Sequence, residues 1–125
     1  MQRMKIRSGA KFYHVYTKGL EHDVIFRERV DYVAGMNYVP VSLCGLDVSI
    51  LAFVLMSNHF HFVIYGENVD CWKFIDRFKR VVSRYLRNRY GTRKLLRAVK
   101  TSCSEIDIRN EGLKRLIEDG HDNRV

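Results

Sequence analysis

Two histidines one residue apart, His59 and His61, stand in the apolar stretch FVLMSNHFHFVIYG of residues 53–66. Side chains alternate faces along a β-strand, so these two share one face while Phe60 and Phe62 take the other. Imidazoles that close together can hold one divalent metal ion. The same spacing also suits two ordinary histidines on a half-buried strand, and spacing alone leaves both readings open. Ser57 and Asn58 just before the pair predict a tight turn, because both side chains can bond nearby backbone. The apolar runs on either side of it should then pair as a hairpin.

A second group of residues points to phosphate. Arg77, Lys79, Arg80, Arg84, Arg87, Arg89, Arg93, Lys94, Arg97 and Lys100 make ten cations between residues 77 and 100, with no Asp or Glu among them. A charged helix face is ordinarily a solvated one with both signs interleaved; an acid-free run favours contact with a polyanion. The net charge of +8 agrees, with nucleic acid the first partner class and an anionic membrane surface the second.

The elements that must position these groups follow from periodicity. Phe12, His14 and Tyr16 alternate with Tyr13 and Val15, a strand pattern closed by Gly19. His14 has the parity to face the His59/His61 pair across a sheet. Residues 25–39 read as a helix that buries Ile25, Phe26, Val30, Tyr32 and Val33, with Gly35 a weak point and Pro40 a stop. Residues 48–56 are almost wholly apolar, as in a covered strand, and residues 59–65 form its hairpin partner. The clearest helix is 70–90: Trp72, Ile75, Phe78, Val82, Tyr85, Leu86 and Arg89 recur at three and four, with Asp70 as N-cap and Gly91 as stop. Residues 95–101 and 106–108 are strand fragments, and 110–119 a short helix capped by Asn110. This order is βαββαβ, the α+β ferredoxin-like pattern: an antiparallel sheet with both helices on one face, plus a short C-terminal helix.

One domain over 1–125, with its core at about 12–118, fits the length. No stretch has the apolar length of a transmembrane helix, and the first ten residues lack the apolar segment of a signal peptide, so a cytoplasmic protein free of membrane is expected. Cys44, Cys71 and Cys103 are odd in number and form no CxxC, which predicts reduced, buried thiols.

The segments AKFYHVYTKG, LMSNHFHFVIYG and SRYLRNRYG together resemble the insertion-sequence 200-like family of HUH tyrosine transposases (His, hydrophobic, His), including their REP-associated relatives. The resemblance runs from about residue 12 to 91 and more faintly to 117. It implies a bacterial, nucleoid-associated protein, dimeric, that binds single-stranded or hairpin DNA in DNA transposition. It also implies a divalent ion, Mg or Mn, on His59 and His61, and attack on phosphorus by a tyrosine hydroxyl. Lys18, Arg77, Lys79, Arg80, Arg84, Arg87, Arg93 and Lys94 are then the DNA-contacting cations. Thr17-Lys18-Gly19 stands where relatives often carry Asn-Arg-Gly, keeping the charge and losing the Asn. The family's nucleophile sits on a helix after the last strand; the counterpart here, residues 110–119, has no tyrosine. Tyr85 and Tyr90 are the remaining candidates, and the chain reads as a transposase-family domain whose C-terminal catalytic portion is truncated.

Two other functions compete. One is a catalytically inactive single-stranded nucleic-acid-binding module of the same fold, stacking bases on Tyr13, Phe60, Phe62 or Tyr65. The other is an unrelated metal-dependent hydrolase, which needs a third ligand; His14, Glu118 and His121 are the open positions.

Overall fold

The computed structural model describes residues 9–18, 24–91 and 99–106. Within them the order is β1 (Lys11–Thr17), α1 (Arg29–Leu43), β2 (Val48–Leu55), β3 (Phe60–Gly66), α2 (Asn68–Tyr90) and β4 (Thr101–Ile106). The strands form one sheet in the order β2-β3-β1-β4, every pairing antiparallel. This is the ferredoxin-like arrangement: β3 lies between β1 and β2, and the two helices cover one face. The expected helix over 110–119 lies outside the described residues.

The core forms where the sheet meets α2. Phe60, Phe62 and Ile64 of β3 and Tyr13 and Val15 of β1 pack with Phe74, Ile75, Phe78, Val82 and Leu86 of α2. The Phe62 ring lies 5.1 Å from those of both Phe74 and Phe78, near-perpendicular to each, the edge-to-face geometry that aromatic quadrupoles favour. These phenylalanines thus serve the core, not a base-stacking face. Gly91 ends α2 in the left-handed conformation at φ +71°, its N–H bonded to the Arg87 carbonyl. The helix begins two residues before the expected Asp70, with Glu67 in the cap position.

Helix α1 departs from expectation at both ends. Ile25 and Phe26 precede it as a buried non-helical segment, and both of their N–H groups donate to the Ser57 carbonyl. Pro40 lies inside it and does not stop it. Pro40 is exposed, and it stands close enough to the C-terminus that water can serve the carbonyl four residues back. The buried face is Asp31, Gly35, Val39 and Ser42, while Val30 and Val33 point outward. Gly35 is a site of close approach: a Cβ there would come within 2.8 Å of Phe26 Cε1 and 2.9 Å of Leu55 Cδ1.

The strand Thr101–Ile106 joins the two expected fragments at residues 101 and 106, and residues 95–98 and 107–108 of those fragments lie outside the described residues. Cys71 is buried and Cys103 half-buried, but Cys44 is exposed at the end of α1, contrary to the expectation of three buried thiols. Among the described residues no helix is long and apolar enough to cross a membrane.

Candidate metal and nucleic-acid site

The Ser57-Asn58 turn forms as expected. Leu55 pairs with Phe60, and the Met56 N–H donates to the His59 carbonyl at 2.8 Å, closing a two-residue hairpin. Its position is fixed from outside by the two N–H groups on the Ser57 carbonyl, at 2.6 and 3.1 Å. Thr17 Oγ1 adds a buried bond from the Phe60 N–H at 3.1 Å, tying the start of β3 to the end of β1. The backbone on both sides of His59 is therefore held by three separate segments.

Alternation then places the side chains. Phe60 and Phe62 point into the helix-covered core, so His61 projects from the opposite face of the sheet, with Tyr16 on β1 and Val54 on β2 as its cross-strand partners. His59, just ahead of the strand, stands with its ring centroid 5.0 Å from that of His61 and nearly perpendicular to it. The expected proximity of the pair is present, although β3 begins at Phe60 and not at His59.

Two neighbours complete the cluster. His14 Nε2 lies 3.1 Å from His61 Nδ1, with the rings stacked at 5.3 Å. The Tyr16 ring lies against both, tilted 4.7 Å from His14 and stacked 5.9 Å from His61. Asn58 Oδ1 lies 2.6 Å from His59 Nδ1. Burial holds the His61 pKa below its ordinary value, and the neighbouring imidazoles of His14 and His59 lower it further. Burial lowers that of His14 as well. A neutral imidazole with an available lone pair is the state a metal requires. Among the described residues no three His, Cys, Asp or Glu side chains converge as a metal site, which leaves His59 and His61 as a pair of candidate donors. Two imidazole nitrogens fit as part of a divalent ion's coordination, the rest being open to water or phosphate oxygen. His14 bonds to one of the pair, and Glu118 and His121 lie outside the described residues.

Nothing in the residue pattern marks Tyr16, or Asn58 beyond its part in the turn, as a neighbour of the two rings. Tyr16 shares a parity with His14 along β1, but its place opposite His61 depends on the β1–β3 register, which links residues far apart in the chain.

Tyr85 and Tyr90 are held elsewhere. Both hydroxyls donate to Asp31, Tyr85 to Oδ1 at 2.6 Å and Tyr90 to Oδ2 at 2.5 Å. Asp31 is fully buried and also accepts the N–H groups of Arg27 and Glu28 at 3.0 Å, with Arg89 Nε 3.1 Å away. Burial by itself would raise the Asp31 pKa. The hydrogen bonds from the two tyrosines and the backbone outweigh that and hold it at about 2. In return burial, and then the Asp31 carboxylate, push the Tyr85 pKa up to about 12. The bond to Asp31 raises that of Tyr90 too. Both phenolates are made harder to form, the reverse of what activates a nucleophile. The cluster joins the start of α1 to the end of α2.

The basic residues divide into two groups. Arg80, Arg84 and Arg87 fall at helical spacing along α2, all exposed and without a partner among the described residues. Lys18 is exposed at the end of β1. Arg77 instead donates to the Cys44 carbonyl at 2.5 Å, and Arg89 pairs with Glu28 at 2.8 Å. Lys79 departs from the expected phosphate role: its ammonium is half-buried, donating to the Val99 carbonyl at 3.1 Å and Thr101 Oγ1 at 3.0 Å, where burial lowers its pKa. Changing Lys79 to Met should therefore leave the salt dependence of DNA binding unaltered, while stability in urea falls by about 1–2 kcal/mol. A flatter salt slope in that variant would return Lys79 to the phosphate-binding set. Arg93 and Lys94 lie outside the described residues.

Comparisons with known proteins agree with this architecture. A family model described as "Transposase IS200 like" matches residues 35–102, more than half of the chain, spanning the histidine pair and α2. A solved REP-associated tyrosine transposase bound to a REP hairpin superposes with a TM-score of 0.53 at 12% identity, covering 98% of this chain and 70% of that one. At that identity the likeness concerns the fold. A candidate aminohydrolase from methicillin-resistant Staphylococcus aureus matches at a TM-score of 0.35 and 14% identity, over 79% of this chain and 30% of that one, too low to compare folds. No curated protein sequence matches. On the family model, and with the fold it leads one to expect, the chain belongs to the IS200-like transposase family.

Proposed function

We propose that this chain binds single-stranded or hairpin DNA and serves DNA transposition in the bacterial cytoplasm, at the nucleoid, as a homodimer. The observation that carries the reading is the His59/His61 pair, set side by side on the helix-free side of the sheet in a chain of this family. Arg80, Arg84 and Arg87, with Lys18 and with Arg93 and Lys94, are the cations for the phosphate backbone. A divalent ion, Mg or Mn, on His59 and His61 would supply Lewis-acid polarisation of a phosphate oxygen. The solved transposase with a bound REP hairpin supports the choice of DNA form by likeness of fold.

Strand cleavage would join a tyrosine oxygen to phosphorus and break the bond to the 3′ oxygen, leaving a 5′-phosphotyrosyl link and a free 3′-OH. Tyr85 or Tyr90 could attack only after leaving Asp31. That carboxylate favours a second reading, in which the domain binds DNA and these two tyrosines serve only to hold α1 against α2.

Incubation with Mn²⁺ and labelled hairpin DNA, run on a denaturing gel, separates the two. A covalent band that disappears in Tyr85→Phe or Tyr90→Phe supports cleavage by that residue. Salt-sensitive binding without an adduct supports the second reading. Equal failure to bind hairpin and unstructured single strands contradicts both.

A further inference from the structure

We propose that Asn58 and His14 are positioning residues that fix the ring tautomers of His59 and His61, so that both histidines present the lone pair of Nε2 to a common ligand. The inference rests on the reading of this pair as metal ligands and adds to it which nitrogen each ring offers and what sets it.

A carboxamide oxygen only accepts, so at 2.6 Å from Asn58 Oδ1 the His59 Nδ1 must carry the proton. In a neutral imidazole the other nitrogen, Nε2, then holds the lone pair. At the second ring, His61 Nδ1 and His14 Nε2 are 3.1 Å apart, and one must donate to the other. If His14 donated, the His61 proton would sit on Nε2 and block ligation from that atom. If His61 Nδ1 donates, its Nε2 is open, and His14 carries its own proton on Nδ1. Only the second arrangement gives both members of the pair the same donor atom.

The geometry suits His14 to this task. Its ring lies 5.3 Å from that of His61, with 17° between planes, and 4.7 Å from that of Tyr16, tilted by 31°, so it is packed against two aromatic neighbours on the sheet. Asn58 is fixed through the turn, since the adjacent Ser57 carbonyl accepts two backbone N–H groups from residues 25 and 26. Each histidine thus has its Nδ1 taken by a group on a held segment. Among the described residues neither Nε2 has a hydrogen-bond partner. Metal-bound histidines commonly use the second nitrogen in this way, and losing such a partner typically weakens the metal about 10–100-fold.

Long-range proton–nitrogen correlation spectra of ¹⁵N-histidine-labelled, metal-free protein at neutral pH read the tautomers directly. We expect the Nδ1–H form at both His59 and His61 in the unaltered chain. In Asn58→Ala, His59 should shift toward Nε2–H while His61 is unchanged; in His14→Phe the reverse should hold, with the ring stack kept. Asn58→Asp and His14→Gln retain an acceptor and should restore the Nδ1–H form. Mn²⁺ affinity should fall about 10–100-fold in the first two variants and largely recover in the second two. An Nε2–H signal at either ligand histidine of the unaltered chain would overturn the proposal without need of any variant, and so would tautomers indifferent to both changes. If the tautomers behave as stated and Mn²⁺ does not bind, the positioning roles stand and the metal reading falls.

Discussion

Replacing Asp31 by Ala should destabilise the chain by about 3–5 kcal/mol, measured as a lower urea midpoint with an unchanged slope. Asp31 is fully buried, and its two oxygens serve Tyr85, Tyr90, the N–H groups of residues 27 and 28, and Arg89. Truncation strips the partner from several donors at once, and a buried donor left unpaired costs about 1–3 kcal/mol. Tyr85→Phe, which removes one bond, should cost about 1–2 kcal/mol. The carboxylate also predicts a pH dependence. Its folded-state value of about 2 lies below the ordinary 3.8, so the stability it confers is present above pH 4 and lost as the pH falls toward 2. Across that window the unaltered chain should lose on the order of 2 kcal/mol more than Asp31→Asn, in which nothing titrates at this position. A cost below about 1 kcal/mol for Asp31→Ala would mean that the α1–α2 junction does not depend on this charge.

The largest effect on binding is expected from the arginine ridge. Combining Arg80→Ala, Arg84→Ala and Arg87→Ala should weaken single-stranded DNA binding about 10–100-fold near physiological salt, and flatten the log–log salt slope by about 2. The slope follows from about 0.7 per lost phosphate contact on a single strand. The three guanidiniums are exposed on successive turns of α2 and have no competing partner among the described residues. Fluorescence anisotropy at several salt concentrations, on oligonucleotides of unrelated sequence, measures both quantities. The loss should be similar on every sequence. A loss confined to one sequence would mean that these arginines read bases.

How much of this was legible in the sequence depended on how local the signal was. The hairpin at Ser57-Asn58, the strands beside it and the stop at Gly91 were readable because turn chemistry and alternation act within a few residues. Helix α2 was readable because a strong apolar stripe faces the sheet. Helix α1 was misplaced because its buried face is Asp31, Gly35 and Ser42 around a single Val39, whereas Val30 and Val33 are exposed. A carboxylate can occupy a core position only when donors surround it, and beyond the local N–H groups of residues 27 and 28 those come from α2, more than fifty residues away. The same limit applies at the candidate site. The His59/His61 spacing announced itself, but the bond between His61 and His14 and the stacking of Tyr16 depend on the register between β1 and β3. Among the cations, Lys79 and the arginines of the ridge looked alike in sequence. The carbonyl of Val99 and the hydroxyl of Thr101 distinguish them.

The central claim is that His59 and His61 act together as a metal centre beside bound DNA. It is tested most directly by titrating Mn²⁺ into the chain with hairpin DNA present and following bound ion by electron paramagnetic resonance. The account predicts a tight site in the unaltered chain that vanishes in the His59→Ala, His61→Ala double variant, while the variant still binds DNA through its arginine ridge. Tight Mn²⁺ binding of equal strength in both proteins would place the ion elsewhere and contradict the account.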